Sequence, residues 1–381
     1  MKIVYVAPMF HTNQVPIVKG WLEHGHQAAF ICQYKGRTEN HQYCTPYVLG
    51  YSGLFRLILS CHSFFHRKSR KNLAYPEAFK DKCGFPPMGR LYRYLKKQKP
   101  DLVVLRERSM YSIFTYFICR ILKINCILYN QTPLWDNEPP RNDFAHRVVK
   151  ALTPSIRMTP VFGRPATGYL DKNAVYIPFV ITPSQSPEYK NYFLNGQIHL
   201  LCVGKFEERK NHLMLLQILN ELLPAYPLHL TLVGEVSTPY HENYFKKLQT
   251  YISTRHLESF VTCHTNCNPE SMAEFYRAAD LFVLPSTGEF ASVSQLEAMS
   301  YSLPVIVSNT NGTSCYVEEG RNGYLFADND AADLKEKIVS IITDKNNIPQ
   351  MGACSYHLVV EKYAFTNYQK EISRFIPQKN A

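Results

Sequence analysis

Two kinds of segment alternate along the chain. Short β-branched and apolar runs read as buried strands: residues 3–7, 28–32, 102–105, 126–129 and 159–162. Longer stretches with apolar positions at helical spacing separate them, such as VPIVKGWLEHGH, opening near Pro16 and ending at Gly25, and MGRLYRYLKKQKPD, stopped by Pro100. A second set follows at 199–204, 228–234, 260–264, 281–285 and 304–308, with helical segments at 211–223 and 270–280 between strands. Strands alternating with helices predict βαβ units and parallel sheets. The Pro-rich polar stretch IPFVITPSQSPEYKN (177–191) predicts a linker. The chain therefore reads as two Rossmann-like α/β domains: 1–185, completed by a C-terminal helix within 361–381, and 186–360.

Composition narrows the class. At 381 residues, 45% hydrophobic and 19% charged, the chain suits two globular domains rather than a disordered polymer. The N-terminus MKIVYVAP reads as a strand, not a leader peptide, and the apolar stretch 111–129 is broken by Arg120, Lys123 and Asn125. The 11 cysteines are odd in number and form no CxxC pair, which points to reduced thiols and a cytoplasmic protein.

Charge is uneven. Residues 1–190 hold 27 Lys and Arg against 11 Asp and Glu, while the rest hold 15 against 20. The basic half suggests an anionic partner or a solvated basic surface that aids solubility, and LFRLILSCHSFFHRKSRK (54–71) reads as a basic amphipathic helix suited to an anionic membrane surface, or as an ordinary surface helix followed by a basic loop. No zinc-finger spacing or RNP-type strand is present, so nucleic acid is not an expected partner.

Open α/β sheets bind ligands at the carboxyl ends of their strands. There the glycines form neither GxGxxG nor GxxxxGK, against a standard dinucleotide fold or a P-loop. VGKFEERKNH (203–212) follows a strand, with Gly204 allowing a close turn and Lys205 and Lys210 flanking a loop into a helix, an arrangement that reads either as two cations able to neutralise a diphosphate or as a solvated charge run. In the segment 284–326, Glu289 falls in a loop at a strand's mouth and Glu297 on the following helix. Ser292 is the expected N-cap, with the N–H groups of Val293 and Ser294 facing an anion. The bland alternative makes Glu289 a solvated loop acid and Glu297 a surface helix residue. DND (328–330) reads as helix capping rather than a metal site.

These residues carry a resemblance. Glu289 and Glu297 with seven residues between them, EAM…LPVI (297–306), NGT (311–313), NGYLF (322–326), VGKFEERKN (203–211), ADLFVLPS (279–286) and YIPF (176–179) are similar to the donor site of retaining GT-B glycosyltransferases of family 4. The likeness runs through most of 175–345. It implies a GT-B fold, two Rossmann-like domains facing across a cleft, and a hexosyltransferase-type enzyme using a nucleotide-sugar and no cofactor or metal. In that scheme Glu289 holds sugar hydroxyls, Glu297 holds the ribose, and Lys205 and Lys210 grip the diphosphate. Glu289, Lys210 and Lys205 are the catalytic candidates. Lys205 stands where arginine is commoner, which keeps a cation but loses the bidentate fork.

The acceptor half departs from the family pattern. The loop MFHTNQ (9–14) lacks glycine, and YNQTPLWD (129–136) lacks the usual histidine. Candidates there are His11, Asn13, Asn130 and Gln131, together with Arg106 and Arg108 of RERS for an anionic acceptor or for an internal ion pair with Glu107 or another acid. The expected role is transfer to a glycan or lipid-linked acceptor in bacterial surface polysaccharide, lipopolysaccharide or glycolipid synthesis, in the cytoplasm or peripheral to the inner face of its membrane. A nucleotide-sugar epimerase on the same fold and an inactive scaffold subunit are the alternatives.

Overall fold

A computed structural model describes residues 1–36, 41–65, 79–80, 83–107, 110–139 and 144–376. The chain divides into two compact units, Met1–Val180 with Phe365–Ala381, and Ile181–Ala364. Each is built on its own parallel sheet.

In the first unit the strands are β1 (Lys2–Ala7), β2 (Gln27–Cys32), β3 (Tyr47–Val48), β4 (Leu102–Arg106) and β5 (Asn125–Tyr129). A small antiparallel pair, β6 (Trp135–Asp136) with β8 (Tyr169–Leu170), brackets β7 (Arg157–Thr159) in the sequence, and β9 (Ala174–Tyr176) follows. The main sheet runs β3-β2-β1-β4-β5-β7-β9. Its helices are α1 (Val15–Glu23), α2 (Gly53–Phe65), α3 (Met88–Gln98), α4 (Met110–Ile121) and α5 (Phe144–Leu152). The strand expected at 159–162 lies earlier, because Pro160 has no N–H to donate to a ladder. Of the basic amphipathic helix, the part to Phe65 is seen, whereas Arg67, Lys68, Arg70 and Lys71 lie outside the described residues.

The second unit has β10 (Ile198–Val203), β11 (Leu228–Gly234), β12 (Val261–Thr265), β13 (Leu281–Leu284), β14 (Val305–Ser308) and β15 (Gly323–Phe326), in the order β12-β11-β10-β13-β14-β15. Around them lie α6 (His212–Leu222), α7 (Pro239–Thr254), α8 (Met272–Ala278), α9 (Val293–Ser300), α10 (Ala331–Ile342) and α11 (Asn347–Leu358). The central strands LFVL and VIVS are buried at every position, as strands covered by helices on both faces must be. The single helix expected over 270–280 is shorter: Pro269–Ser271 forms a 3-10 turn and α8 ends at Ala278. Asp330 caps α10 by accepting from the N–H groups of Ala332 and Asp333.

The last helix, α12 (Phe365–Ser373), packs in the first unit against α1. Trp21 is fully buried and its indole N–H donates to the Tyr5 hydroxyl at 2.7 Å, which meets the Tyr368 hydroxyl at 3.2 Å. Phe365 packs directly against Gly20: a Cβ there would stand 2.1 Å from the Phe365 Cγ. Only the absence of a side chain at position 20 admits this ring.

Candidate functional site

In the second sheet β10 and β13 are neighbours, and the strand order reverses between them, which makes their carboxyl ends a switch-point crevice. Two loops meet there. One runs from Gly204 to Asn211 and the other from Pro285 to Ser292.

In the first loop a 3-10 turn, Glu208–Lys210, closes on Asn211, which takes a left-handed conformation at φ 52°. The turn sends Lys210 back across Gly204. A Cβ on Gly204 would stand 3.2 Å from Cδ and Cε of Lys210, so the glycine makes room for the lysine stem. Lys210 is 7% exposed, and its ammonium pairs with Oε2 of Glu289. The same oxygen accepts from Nη1 of Arg209 at 2.7 Å, while Nη2 of Arg209 reaches Glu207 at 2.6 Å. Burial alone pushes the Glu289 carboxyl up. The two cations outweigh it and hold the group below the ordinary carboxylate range.

The second loop is pinned by its backbone. Thr287 N–H donates to the Arg209 carbonyl at 2.9 Å, and Gly312 N–H to the Glu289 carbonyl at 2.8 Å. Gly312 belongs to the NGT turn, where Thr313 Oγ1 donates to Gln295 Oε1 at 2.7 Å and Gln295 Nε2 returns a bond to the Thr313 carbonyl at 3.1 Å. These groups are buried and satisfy one another, so the turn, α9 and the Glu289 loop form one rigid piece.

Ser292 occupies the N-cap of α9 with extended backbone, yet its hydroxyl does not cap. It meets Ser294 Oγ at 2.9 Å, and Ser294 Oγ donates to the carbonyl of Val203 at 3.2 Å. The two serines thus tie α9 to the end of β10. The first N–H groups of α9, Val293 and Ser294 among them, have no intrahelical acceptor, as at any helix start. Glu297 lies one turn further in, partly buried, and accepts from the Tyr276 hydroxyl at 2.7 Å. Burial raises its pKa and the Tyr276 bond opposes the shift. Neither glutamate is therefore a solvated surface acid. Each has its own partners, and the two share none among the described residues.

Lys205 is exposed and pairs with Glu235 at 3.3 Å, so the structure gives it a separate partner from Lys210. Three residues escaped the sequence reading. Arg209 stood inside a recognised motif but was masked by its neighbour Lys210. Tyr276 carried no local signal. Ser286, fully buried in the loop after β13, has a hydroxyl with no hydrogen-bond partner among the described residues.

The first sheet also reverses its order, between β1 and β4. A cavity at this end is lined by Asn13, Arg106, Tyr129, Phe30, Phe179 and Tyr368, among others. Arg106 stacks 4.7 Å over the Tyr129 ring and donates to Gln131 Oε1 at 2.8 Å. Of the acids open to Arg106 for an ion pair, Glu107 is not its partner among the described residues. Glu107 instead pairs with the buried Arg157 at 2.8 Å and accepts from Asn130 at 3.1 Å. Asn130 thus serves that internal network. His11 is exposed at the start of a 3-10 turn, its backbone N–H bound by Gln14. Arg108 lies outside the described residues.

Residues 188–356 match the family model described as glycosyl transferases group 1. The matched segment coincides with most of the second unit. A D-inositol 3-phosphate glycosyltransferase of Arthrobacter sp. is 25% identical over 58% of this chain and 60% of its own length. A UDP-Gal:alpha-D-GlcNAc-diphosphoundecaprenol alpha-1,3-galactosyltransferase of Escherichia coli is 42% identical over 18% of each chain. Both matches cover less than two thirds of the relative. The Anabaena protein HepE, solved in complex with UDP, superposes with a TM-score of 0.66 at 14% identity, covering 98% of this chain and 99% of that one. The chain as a whole has the GT-B fold.

Proposed function

We propose that the chain is a glycosyltransferase that moves a sugar from a nucleoside-diphosphate donor to an acceptor hydroxyl. One observation carries this: a buried lysine and an arginine converge on Glu289 at the mouth of β13, beside the open start of α9. A carboxylate there accepts hydroxyls of the donor sugar, while Lys210, Lys205 and the N–H groups of Val293 and Ser294 receive the diphosphate. Glu297 receives the ribose. With the charge of the diphosphate met by these groups, no metal is required.

In the reaction, the acceptor oxygen forms a bond to the anomeric carbon as the bond to the diphosphate oxygen breaks. The leaving diphosphate keeps the electron pair and takes the acceptor's proton. Attack from the face that the diphosphate leaves retains configuration, and catalysis rests on positioning and on stabilising the developing negative charge. The acceptor would enter the first unit's cavity, against Arg106, Gln131 and Asn13. The Escherichia coli relative acts on a diphosphoundecaprenol-linked sugar by its name, which supports a lipid-linked acceptor in surface polysaccharide or glycolipid synthesis. On α2, Leu54, Leu57 and Ile58 are 63%, 66% and 43% exposed, ahead of the basic sequence at 66–71. This supports a peripheral position on the inner face of the cytoplasmic membrane, reached without a membrane-crossing helix.

The test is thermal stabilisation by a panel of nucleoside diphosphates and nucleotide-sugars. A shift selective for one base, lost in both Lys210→Ala and Glu297→Ala, supports the donor site. No shift with any nucleotide would overturn it in favour of an inactive scaffold subunit.

A further inference from the structure

Lys190 lies in the stretch that the sequence presents as a linker, yet its side chain is 7% exposed. It follows a 3-10 turn, Pro187–Tyr189, and its ammonium enters the second unit's core. There Nζ donates to the carbonyl of Tyr276 at 2.9 Å and to that of Arg277 at 2.7 Å. These are carbonyls of the last turn of α8, two of the acceptors that every helix end leaves without an intrahelical partner. Lys190 therefore caps α8 from outside the helix.

The surroundings fix this contact. Asp280, fully buried just past α8, accepts from the N–H groups of Phe193 at 2.8 Å and His199 at 2.7 Å. One carboxylate thus joins the chain after Lys190, the start of β10 and the end of α8. Tyr192 donates to the Ser302 carbonyl at 2.6 Å, holding the same stretch from the other side. Burial lowers the pKa of Lys190 to about 8, with the Asp280 charge acting the other way. Such a position is costly for an ammonium unless its hydrogen bonds are made.

The capped turn carries Tyr276. Its ring is 2% exposed and stacks on Tyr301 with centroids 5.3 Å apart, so the phenol has little freedom. Its hydroxyl donates to Glu297 at 2.7 Å. We propose that Lys190 is a positioning residue for Glu297, setting through the end of α8 and the Tyr276 hydroxyl how that carboxylate meets the ribose of the donor. The proposal rests on Glu297 being the ribose carboxylate. It adds a determinant of nucleotide recognition that lies 86 positions before Tyr276 and touches no substrate.

The effect belongs to the ribose hydroxyls, which separates it from general loosening of the fold. UDP, ADP and GDP are titrated beside their 2′,3′-dideoxy counterparts into wild type, Lys190→Met, Lys190→Arg, Tyr276→Phe and Glu297→Gln, below the melting temperature of every variant. Lys190→Met is expected to weaken the preferred ribonucleotide about tenfold while leaving its dideoxy form within about twofold, as the loss of one hydrogen-bonded contact predicts. Tyr276→Phe should do the same, and the double variant should lose no more than either single one. Lys190→Arg, which keeps donors for the two carbonyls, should recover part of the loss.

Equal weakening of both nucleotide forms in Lys190→Met, or full additivity with Tyr276→Phe, overturns the proposal. If Lys190→Met does not fold, the discrimination in Tyr276→Phe and in Lys190→Arg decides the matter. Glu297→Gln reports separately on the underlying assignment. Failure of that variant to distinguish the two forms sinks the ribose role itself, whereas discrimination there without discrimination in the lysine variants sinks only the positioning.

Discussion

Lys210 and Glu289 stand 79 positions apart in the chain and meet as an ion pair whose side chains are only 9% and 11% exposed. Charges so placed lose hydration, and the pairing must repay that loss. On the proposed reading, donor hydroxyls and diphosphate oxygens offer both groups further partners. The pair is thus a preformed polar site rather than surface decoration.

Lys210→Ala should lower kcat by roughly a hundred- to a thousandfold, the usual cost of removing one preorganised charge-stabilising group. Steady-state transfer assays against nucleotide affinity check this. An unchanged kcat with weaker donor binding would restrict Lys210 to ground-state binding.

Arg209 shares the same carboxylate oxygen but is 42% exposed. Exposed pairs contribute about 0.2–1 kcal/mol, so Arg209→Ala should change kcat/KM by less than about tenfold. A loss matching that of Lys210→Ala would move Arg209 into the catalytic set.

His212 supplies a pH dependence of stability. It is fully buried against the rings of Phe206 and Tyr244, and neither ring nitrogen has a hydrogen-bond partner among the described residues. Burial, helped by the Lys210 charge, lowers its pKa from 6.5 to about 3. Between those values the unfolded chain binds the proton and the folded chain does not. The stabilising contribution of the neutral ring is therefore complete above about pH 6.5 and declines as pH falls towards 3, by at most about 1.4 kcal/mol per pH unit. His212→Phe should flatten this part of the acid limb and raise stability at neutral pH by roughly 1 kcal/mol. Urea denaturation from pH 4 to 8 would show it.

Gly20→Ala places a Cβ within the ring of Phe365. Overpacking of this kind costs about 1–3 kcal/mol, and here it falls on the docking of α12. Limited proteolysis should cut near α12 sooner in the variant, with the second unit unaffected. Equal protection of α12 in both proteins would show that the ring has another place to go.

Leu57→Glu on α2 should reduce co-flotation with phosphatidylglycerol vesicles severalfold and leave donor binding unchanged. Undiminished flotation would remove α2 from the membrane-facing surface.

The second sheet was legible because its central strands are continuous apolar runs, and the sequence placed Glu289 in a loop at a strand's mouth and Glu297 on the following helix, where the structure has them. What sequence reading missed has physical causes. Tyr47–Val48 and Ala174–Tyr176 are two and three residues long, too short for a period to register. Lys190 went unremarked inside the Pro-rich linker stretch, because the carbonyls that fix it belong to a helix 86 positions away. Asn130 looked available until Glu107 was seen paired with Arg157.

The chain enters the second unit after Val180 and leaves it before Phe365. On the ribosome, everything from Ile181 to Ala364 must be made before the helix that covers Trp21 exists. At about 5–20 residues per second this delay lasts roughly 10–40 s. During that interval the contiguous second unit is free to fold, while the first exposes an aromatic face that lacks its cover. The nascent protein therefore matures from its interior segment outward, and the period before α12 arrives is when the first unit most needs a chaperone.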